Sequence, residues 1–422
     1  MIVPHFSSTS PLPLREVVLQ FLAPIESLSS NHEIDLHIMV FSFTDAEIAE
    51  RLIQIATNNE NVKVKILADW GLISDDKDRK LKYLATRSLS NLEVRFMYDQ
   101  PYVWDAGNQR PKWHYQTSLG LLHHRTLAIF ADGIPLRMLS GSYNMTKQAE
   151  LNYENLIELR PGSEGINRIM EEIEMEFQTL WTHPELSVTY EEAIALKNET
   201  ASRFEANPDL DPTETIRPPI TNGDFVPVTN SYNWDRMVST NDLVAFGSRA
   251  FPGNERGKGF TEVLGYRQFM MTAASGKYKK VPVDLSTVLL DLLFRCKPGS
   301  VLRVAIFALS PRVPEYGLLL EAARKGIAVR VILGVPGETL EKLEEAATGE
   351  NLPLEVRYEG RCLHQKYVVD LDAGNVLTGT ANMTTDAYER HAEHRFLFRG
   401  NKGLAQKFAA DFDTIWKEME GI

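Results

Sequence analysis

Short apolar runs alternate with amphipathic stretches along much of this chain. LREVVLQFLAPIE (14–26) reads as a helix, IDLHIMVF (34–41) as a buried strand and VKVKILAD (62–69) as another. Between those strands, Ile48, Leu52, Ile53 and Ile55 line one face of a helix over roughly two turns. Strands rich in Val, Ile and Leu, bounded by breakers and joined by helices, suit a parallel sheet covered on both faces. The same order returns in STVLLDLLFRCKPG (286–299), VLRVAIFALS (301–310) and AVRVILG (328–334).

The likeness continues in register. NLEVRFMYD (91–99) answers LPLEVRYEG (352–360), and LLHHRTLAIF (121–130) answers CLHQKYVVDL (362–371). SGSYNMT (140–146) matches TGTANMT (378–384), NYENLIELR (152–160) matches AEHRFLFRG (392–400), and EFQTLWTHPE (176–185) matches DFDTIWKEME (411–420). Segments repeated in one order mark a duplication. The chain therefore divides into a first α/β unit within 1–185 (its repeat from about 14), an intervening region 186–285, and a second unit, 286–422.

That intervening region has a different texture. NPDLDPTETIRPPITNGDFVP (207–227) is a Pro-rich loop. From Arg249 to Lys280, seven basic residues oppose Glu255 and Glu262, with Phe251, Phe260, Tyr266, Phe269 and Tyr278 interleaved. Such a stretch suits either a solvated surface or a loop facing a polyanion. The whole chain of 422 residues carries a net charge of −12, which excludes a uniformly basic coat but not a basic patch. Two cysteines, Cys296 and Cys362, are too few for a disulfide scaffold and fit a reducing compartment. The start has no basic-then-apolar signal, and no window reaches ~18 uninterrupted apolar residues. A cytoplasmic protein without a transmembrane segment is expected.

Candidate chemistry concentrates where the copies agree best. His123 with Arg125, and His364 with Lys366, share one face of a strand, while His124 and Gln365 point the other way. Each pair precedes a Gly-(Ser/Thr)-x-Asn turn, with Ser142 and Asn144 in one copy and Thr380 and Asn382 in the other; Glu154 and Glu393 follow. A histidine can serve as nucleophile or general acid near neutral pH. The cations, hydroxyls and amides can hold phosphate oxygens, and a carboxylate behind each histidine would fix its tautomer.

These paired motifs resemble the phospholipase D superfamily, whose pattern is His-x-Lys, four residues, Asp, six residues, then Gly-Ser-x-Asn. The resemblance spans both copies and implies two pseudo-twofold-related α/β/α sandwich units with mostly parallel central sheets. It also implies one site formed by both motifs and catalysis through a covalent phosphohistidine, without metal or other cofactor. By motif position, His123, His364, Arg125, Lys366, Glu154 and Glu393 would be catalytic, and Ser142, Asn144, Thr380 and Asn382 would bind substrate. The chain departs from the pattern at Arg125, at Phe130 and Leu371 in the Asp positions, and at Thr380. His-to-Asn spacing is 21 and 18 residues.

The expected function is a metal-independent phosphodiesterase cleaving nucleic acid. The alternatives are a phospholipase D or phosphatidyltransferase acting on lipid head groups, and a degenerate phosphate-binding module. Arg125 favours a neutral His123 as nucleophile. Lys366 and the acids Asp370, Asp372 and Glu393 suggest His364 as the proton donor. Weaker signals are GNERGKG (253–259), which reads as a flexible turn, DDKD (75–78), which reads as a helix start or solvated loop, and Trp104, Trp113 and Tyr115, which suit a site border or packing equally. His114, His183, His391 and His394 have no partners at ligand spacing, although His391 or His394 could line the second half-site.

Overall fold

The structure, a computed structural model, describes residues 1–70, 79–87, 89–97, 102–105, 110–113, 122–183, 187–207, 231–232, 242–247, 281–282, 285–360, 362–384, 387 and 391–419. The stretch 249–280 with its GNERGKG segment, DDKD (75–78), His114 and Tyr115 lie outside the described residues, as do the side chains of Trp104 and Trp113.

Two large sheets carry the fold. The first runs Ile2–Phe6, Asn155–Leu159, Ile134–Gly141, Thr126–Ala131, Ile34–Val40, Val62–Asp69, Leu92–Met97, Ser187–Thr189. The second runs Leu243–Gly247, Glu393–Phe398, Asn375–Gly379, Lys366–Asp370, Val301–Ile306, Ala328–Leu333, Leu354–Tyr358. Read in this order the first seven strands of the first sheet answer the seven of the second, and Ser187–Thr189 is an extra edge strand.

The sheets are mixed, which corrects the expectation of mostly parallel ones. Only Ile34–Val40, Val62–Asp69 and Leu92–Met97 run parallel in the first sheet, and only their counterparts do in the second. The remaining pairings are antiparallel: tight hairpins join Thr126–Ala131 to Ile134–Gly141 and Lys366–Asp370 to Asn375–Gly379, and the others pair strands farther apart in the chain. Asp132 and Gly133 turn the first hairpin with φ of 51° and 76°, the left-handed pair that a tight two-residue turn needs. The second hairpin turns more loosely, with the Asp370 carboxylate accepting from the amides of Asp372 and Ala373. Longer strands and a bulge at Ile129/Phe130 account for the wider His-to-Asn spacing in the first copy. The region read as a linker gives a strand to each sheet: Ser187–Thr189 to the first and Leu243–Gly247 to the second.

Burial follows from this layering. One core, with Leu36, Ile48, Leu52 and Val64, lies between the first sheet and outer helices such as Ala46–Asn58, whose first amides are capped by the Asp45 carboxylate. A second, with Leu289, Val304, Leu319 and Val331, covers the outer face of the second sheet. The third lies between the sheets. It takes in Ile169, Phe177 and Trp181 of helix Glu164–Thr182 and Phe408, Phe412 and Trp416 of helix Lys402–Glu418. The i,i+4 aromatic pairs stack within each helix, with ring centroids 5.4 Å apart in both. Both faces of each sheet are covered, which is why the central strands are apolar almost throughout.

Candidate active site

Each motif enters its sheet just before the antiparallel strand that borders the parallel trio. Immediately before it, the chain crosses to the other unit. Leu122 bridges Ala392, and Tyr153 bridges Leu363. The His123 amide donates to the Ala392 carbonyl (3.0 Å) and the His364 amide to the Tyr153 carbonyl (2.9 Å). Each histidine is thereby laid beside the acid-bearing strand of the opposite copy.

The carboxylates are consequently exchanged. His123 Nδ1 pairs with Glu393, and His364 Nδ1 lies 2.9 Å from Glu154 Oε2. This corrects the grouping of Glu393, Asp370 and Asp372 with His364. Glu393 serves His123, while Asp370 sits at the far hairpin end and accepts from the Cys296 thiol (3.3 Å). Both glutamates are fully buried.

The other motif residues gather around these pairs. Arg125 Nη2 donates to His123 Nε2 (2.7 Å), and Arg125 Nε donates to Asn144 Oδ1 (2.7 Å). Because a guanidinium only donates, Nε2 of His123 holds a lone pair and the ring proton is on Nδ1, facing Glu393. Lys366 Nζ donates to the His364 carbonyl (2.6 Å). Ser142 Oγ accepts from the Asn155 amide (2.9 Å), Thr380 Oγ1 accepts from the His394 amide (3.1 Å), and the Asn382 amide donates to Glu393 Oε2 (3.1 Å). The motif glycines permit this closeness. A Cβ on Gly141 would fall 2.2 Å from the Asn155 carbonyl oxygen, and one on Gly379 2.3 Å from that of His394.

Burial sets the electrostatics. It holds His123 well below its usual value, helped by Arg125 and opposed by Glu393. His364 is pushed down to about 4 by burial and Lys366, against the pull of Glu154. Lys366 falls to about 7 through burial and the neighbouring Arg125, and burial brings Arg125 to about 10. Burial works the other way on the glutamates, but the histidines outweigh it and hold both carboxyls below their usual range. The charge of Arg125 is felt at both His364 and Lys366, so the two half-sites form one electrostatic unit.

The sequence matches a family model described as "Cardiolipin synthase, PLD-like domain" over residues 25–181 and 289–416. The chain belongs to the phospholipase D superfamily. It is thus a phosphodiesterase or phosphotransferase of that superfamily. Phosphatidylserine synthase from Haemophilus influenzae shares the fold, with a TM-score of 0.57 at 14% identity, covering 98% of this chain and 85% of that one. Nuc, a phospholipase D family member from Salmonella typhimurium, aligns at 19% identity over 45% of this chain and 97% of its own, with a TM-score of 0.30. No curated protein matches the chain in sequence.

Within this phospholipase D-superfamily site, some residues were not singled out from sequence. Phe41 stands edge-on to His123 (ring centroids 4.9 Å apart) with its face toward Arg125 (5.6 Å). Phe307 does the same for His364 (5.0 Å) and Lys366 (5.4 Å). Each directly follows the first parallel strand of its copy, so the aligned VFSF (40–43) and IFAL (306–309) segments were the available signal.

His391, expected at the second half-site, lies elsewhere. Its Nδ1 lies 3.1 Å from Glu393 Oε1, placing it in the half-site of His123 and not that of His364. Its counterpart by position, Asn152, donates to Glu154 Oε1 (3.3 Å). His123, His391 and Glu393 bring donor atoms within 4.8 Å of one another, the one such group among the described residues. The chemistry does not fit a metal. His123 Nδ1 bears the ring proton and its Nε2 is occupied by a guanidinium, so the ring offers no free lone pair.

Proposed function

We propose that this enzyme cleaves phosphodiesters in two steps through a histidine adduct, without metal, and that its substrate is nucleic acid. The supporting observation is the exchanged pair of buried His–Glu couples with Arg125 and Lys366 between them. His123 Nε2 attacks phosphorus as Arg125 shifts from that nitrogen to a phosphate oxygen. The bond from phosphorus to the leaving oxygen breaks as His364, protonated, delivers its proton there. Water or an alcohol, giving its proton to the now neutral His364, then displaces His123. An anion beside Arg125 and Lys366 offsets the two charges that depress His364, which favours the protonated form needed for the first step. Ser142, Asn144, Thr380 and Asn382 line the motif turns and are assigned to phosphate binding.

The nucleic-acid assignment rests on the basic, aromatic-bearing stretch 249–280. The matched family's description names a lipid synthase and favours a second reading, phosphatidyl transfer between head groups. Among the described residues no helix is long and apolar enough to cross a membrane. Incubation with single-stranded DNA, duplex DNA, RNA and phosphatidylglycerol vesicles, each with EDTA, separates the readings. Turnover of vesicles alone would replace the first reading with the second, and turnover of none would sink both.

A further inference from the structure

Directly behind the site, two histidines that the proposed chemistry does not use meet across the units. His124, between His123 and Arg125, and His394, next to Glu393, are both fully buried. Their Nδ1 atoms are 2.8 Å apart and their rings are stacked, with centroids at 5.1 Å. His394 Nε2 lies 2.9 Å from Ser140 Oγ, which itself donates to the Arg125 carbonyl (2.9 Å). His124 Nε2 lies 3.4 Å from Glu176 Oε1 on helix Glu164–Thr182.

These contacts fix a proton count. Ser140 has one hydrogen, and a carbonyl can only accept it, so Ser140 Oγ must receive a hydrogen from His394 Nε2. An ionised Glu176 can only accept, so it receives one from His124 Nε2, and a contact between two ring nitrogens needs a hydrogen between them. Three ring hydrogens on two imidazoles make one imidazolium. His124 is the ring beside the Glu176 carboxylate, which assigns the imidazolium to it. The charged groups around the pair are Glu176, Arg125 and Glu393; Phe246 and Phe396 supply the apolar packing.

The other half-site makes its link with neutral amides. Gln365 donates to Asp411 Oδ2 (2.9 Å), and Asn155 donates to Thr378 Oγ1 (3.2 Å). We propose that His124 and His394 hold one shared excess proton, balanced by Glu176, and act as a charged clasp that positions the Glu393 strand against His123. The positioning role rests on the reading of His123 as catalytic; the proton count does not.

The test uses full-length protein with nitrogen-15 in its histidine rings, observed by proton–nitrogen correlation at about pH 7. His124→Gln and His394→Asn identify the two rings. The expected result is both nitrogens protonated in His124 and a neutral ring with its hydrogen on Nε2 in His394. Glu176→Gln should convert His124 to the neutral pattern, and Asp411→Asn should leave it charged. Glu176→Gln should also lower kcat about tenfold with KM unchanged. A neutral His124 in the unmodified protein overturns the count, and this needs no variant to fold at full yield. An unchanged kcat in a Glu176→Gln protein with neutral His124 overturns the positioning role. Absence of phosphodiesterase activity in the unmodified protein would fault the functional reading and leave the count standing.

Discussion

Glu393→Gln is the substitution that bears most directly on the exchanged carboxylates. The amide oxygen keeps the bond from the Asn382 amide, now 3.1 Å from Oε2. The amide NH₂ then faces His123, whose Nδ1 must accept, and the ring hydrogen moves to Nε2. That places two donors, Nε2–H and Arg125 Nη2, against each other across a contact that is 2.7 Å in the native protein. It also removes the lone pair needed for attack. A comparable tautomer error in serine proteases costs about 10⁴ in kcat, so a loss of about 10³–10⁴, or about 4–5.5 kcal/mol, is expected. The assay compares a dinucleotide-like diester with a nitrophenyl diester and traps the adduct by acid quench. In Glu393→Gln neither substrate should form an adduct, because attack itself is blocked. In Glu154→Gln the defect lies with His364, so the nitrophenyl diester, whose leaving group needs no proton, should still label the peptide containing His123. Rescue of Glu393→Gln by the nitrophenyl diester, without rescue of Glu154→Gln, would refute the reasoning, as would Glu393→Gln activity within about tenfold of wild type.

Other outcomes follow from the same geometry. His123→Ala and His364→Ala should each lower turnover by about 10³-fold or more while the melting temperature holds within a few degrees; full activity in either removes the two-histidine site. Activity should persist in EDTA, and loss that magnesium or zinc restores would show that a metal centre does the chemistry. Lys366, down to about 7 in the free site, should take up a proton when inorganic phosphate binds at about pH 8, read by calorimetry in two buffers of different ionisation enthalpy. Identical heats in both would count against a depressed lysine. The Glu393 carboxyl lies below its ordinary 4.5, so its stabilisation is present above that value and fades as pH falls further. The stability difference between wild type and Glu393→Gln should therefore be larger at about pH 7 than at about pH 3, by urea denaturation. Equal differences would argue that the carboxylate is not paired.

Duplication made much of this protein legible from its residues alone. Two α/β units, the His-x-cation pairs, the Gly-(Ser/Thr)-x-Asn turns and Glu154 and Glu393 all emerged by comparing one half of the chain with the other. Alternation along a strand also placed His124 and Gln365 correctly, away from their neighbours, because strand geometry is local. Edge strands Ile2–Phe6 and Leu243–Gly247 lay outside the repeat as it was drawn, since each is short and paired only with a partner from far along the chain. The parallel reading of the sheets failed for a related reason: apolar runs report burial, whereas strand direction depends on the turn that joins them. Only the tertiary structure decided which acid serves which histidine. Glu154 is far closer in sequence to His123, yet it meets His364, because Tyr153 and Leu363 bridge across the units and carry the carboxylate with them. His391 meets Glu393 only two residues on, but packing between the copies is what puts both into the half-site of His123. A sequence repeat shows that two halves are alike; how they face one another depends on packing between distant surfaces, which no local pattern records.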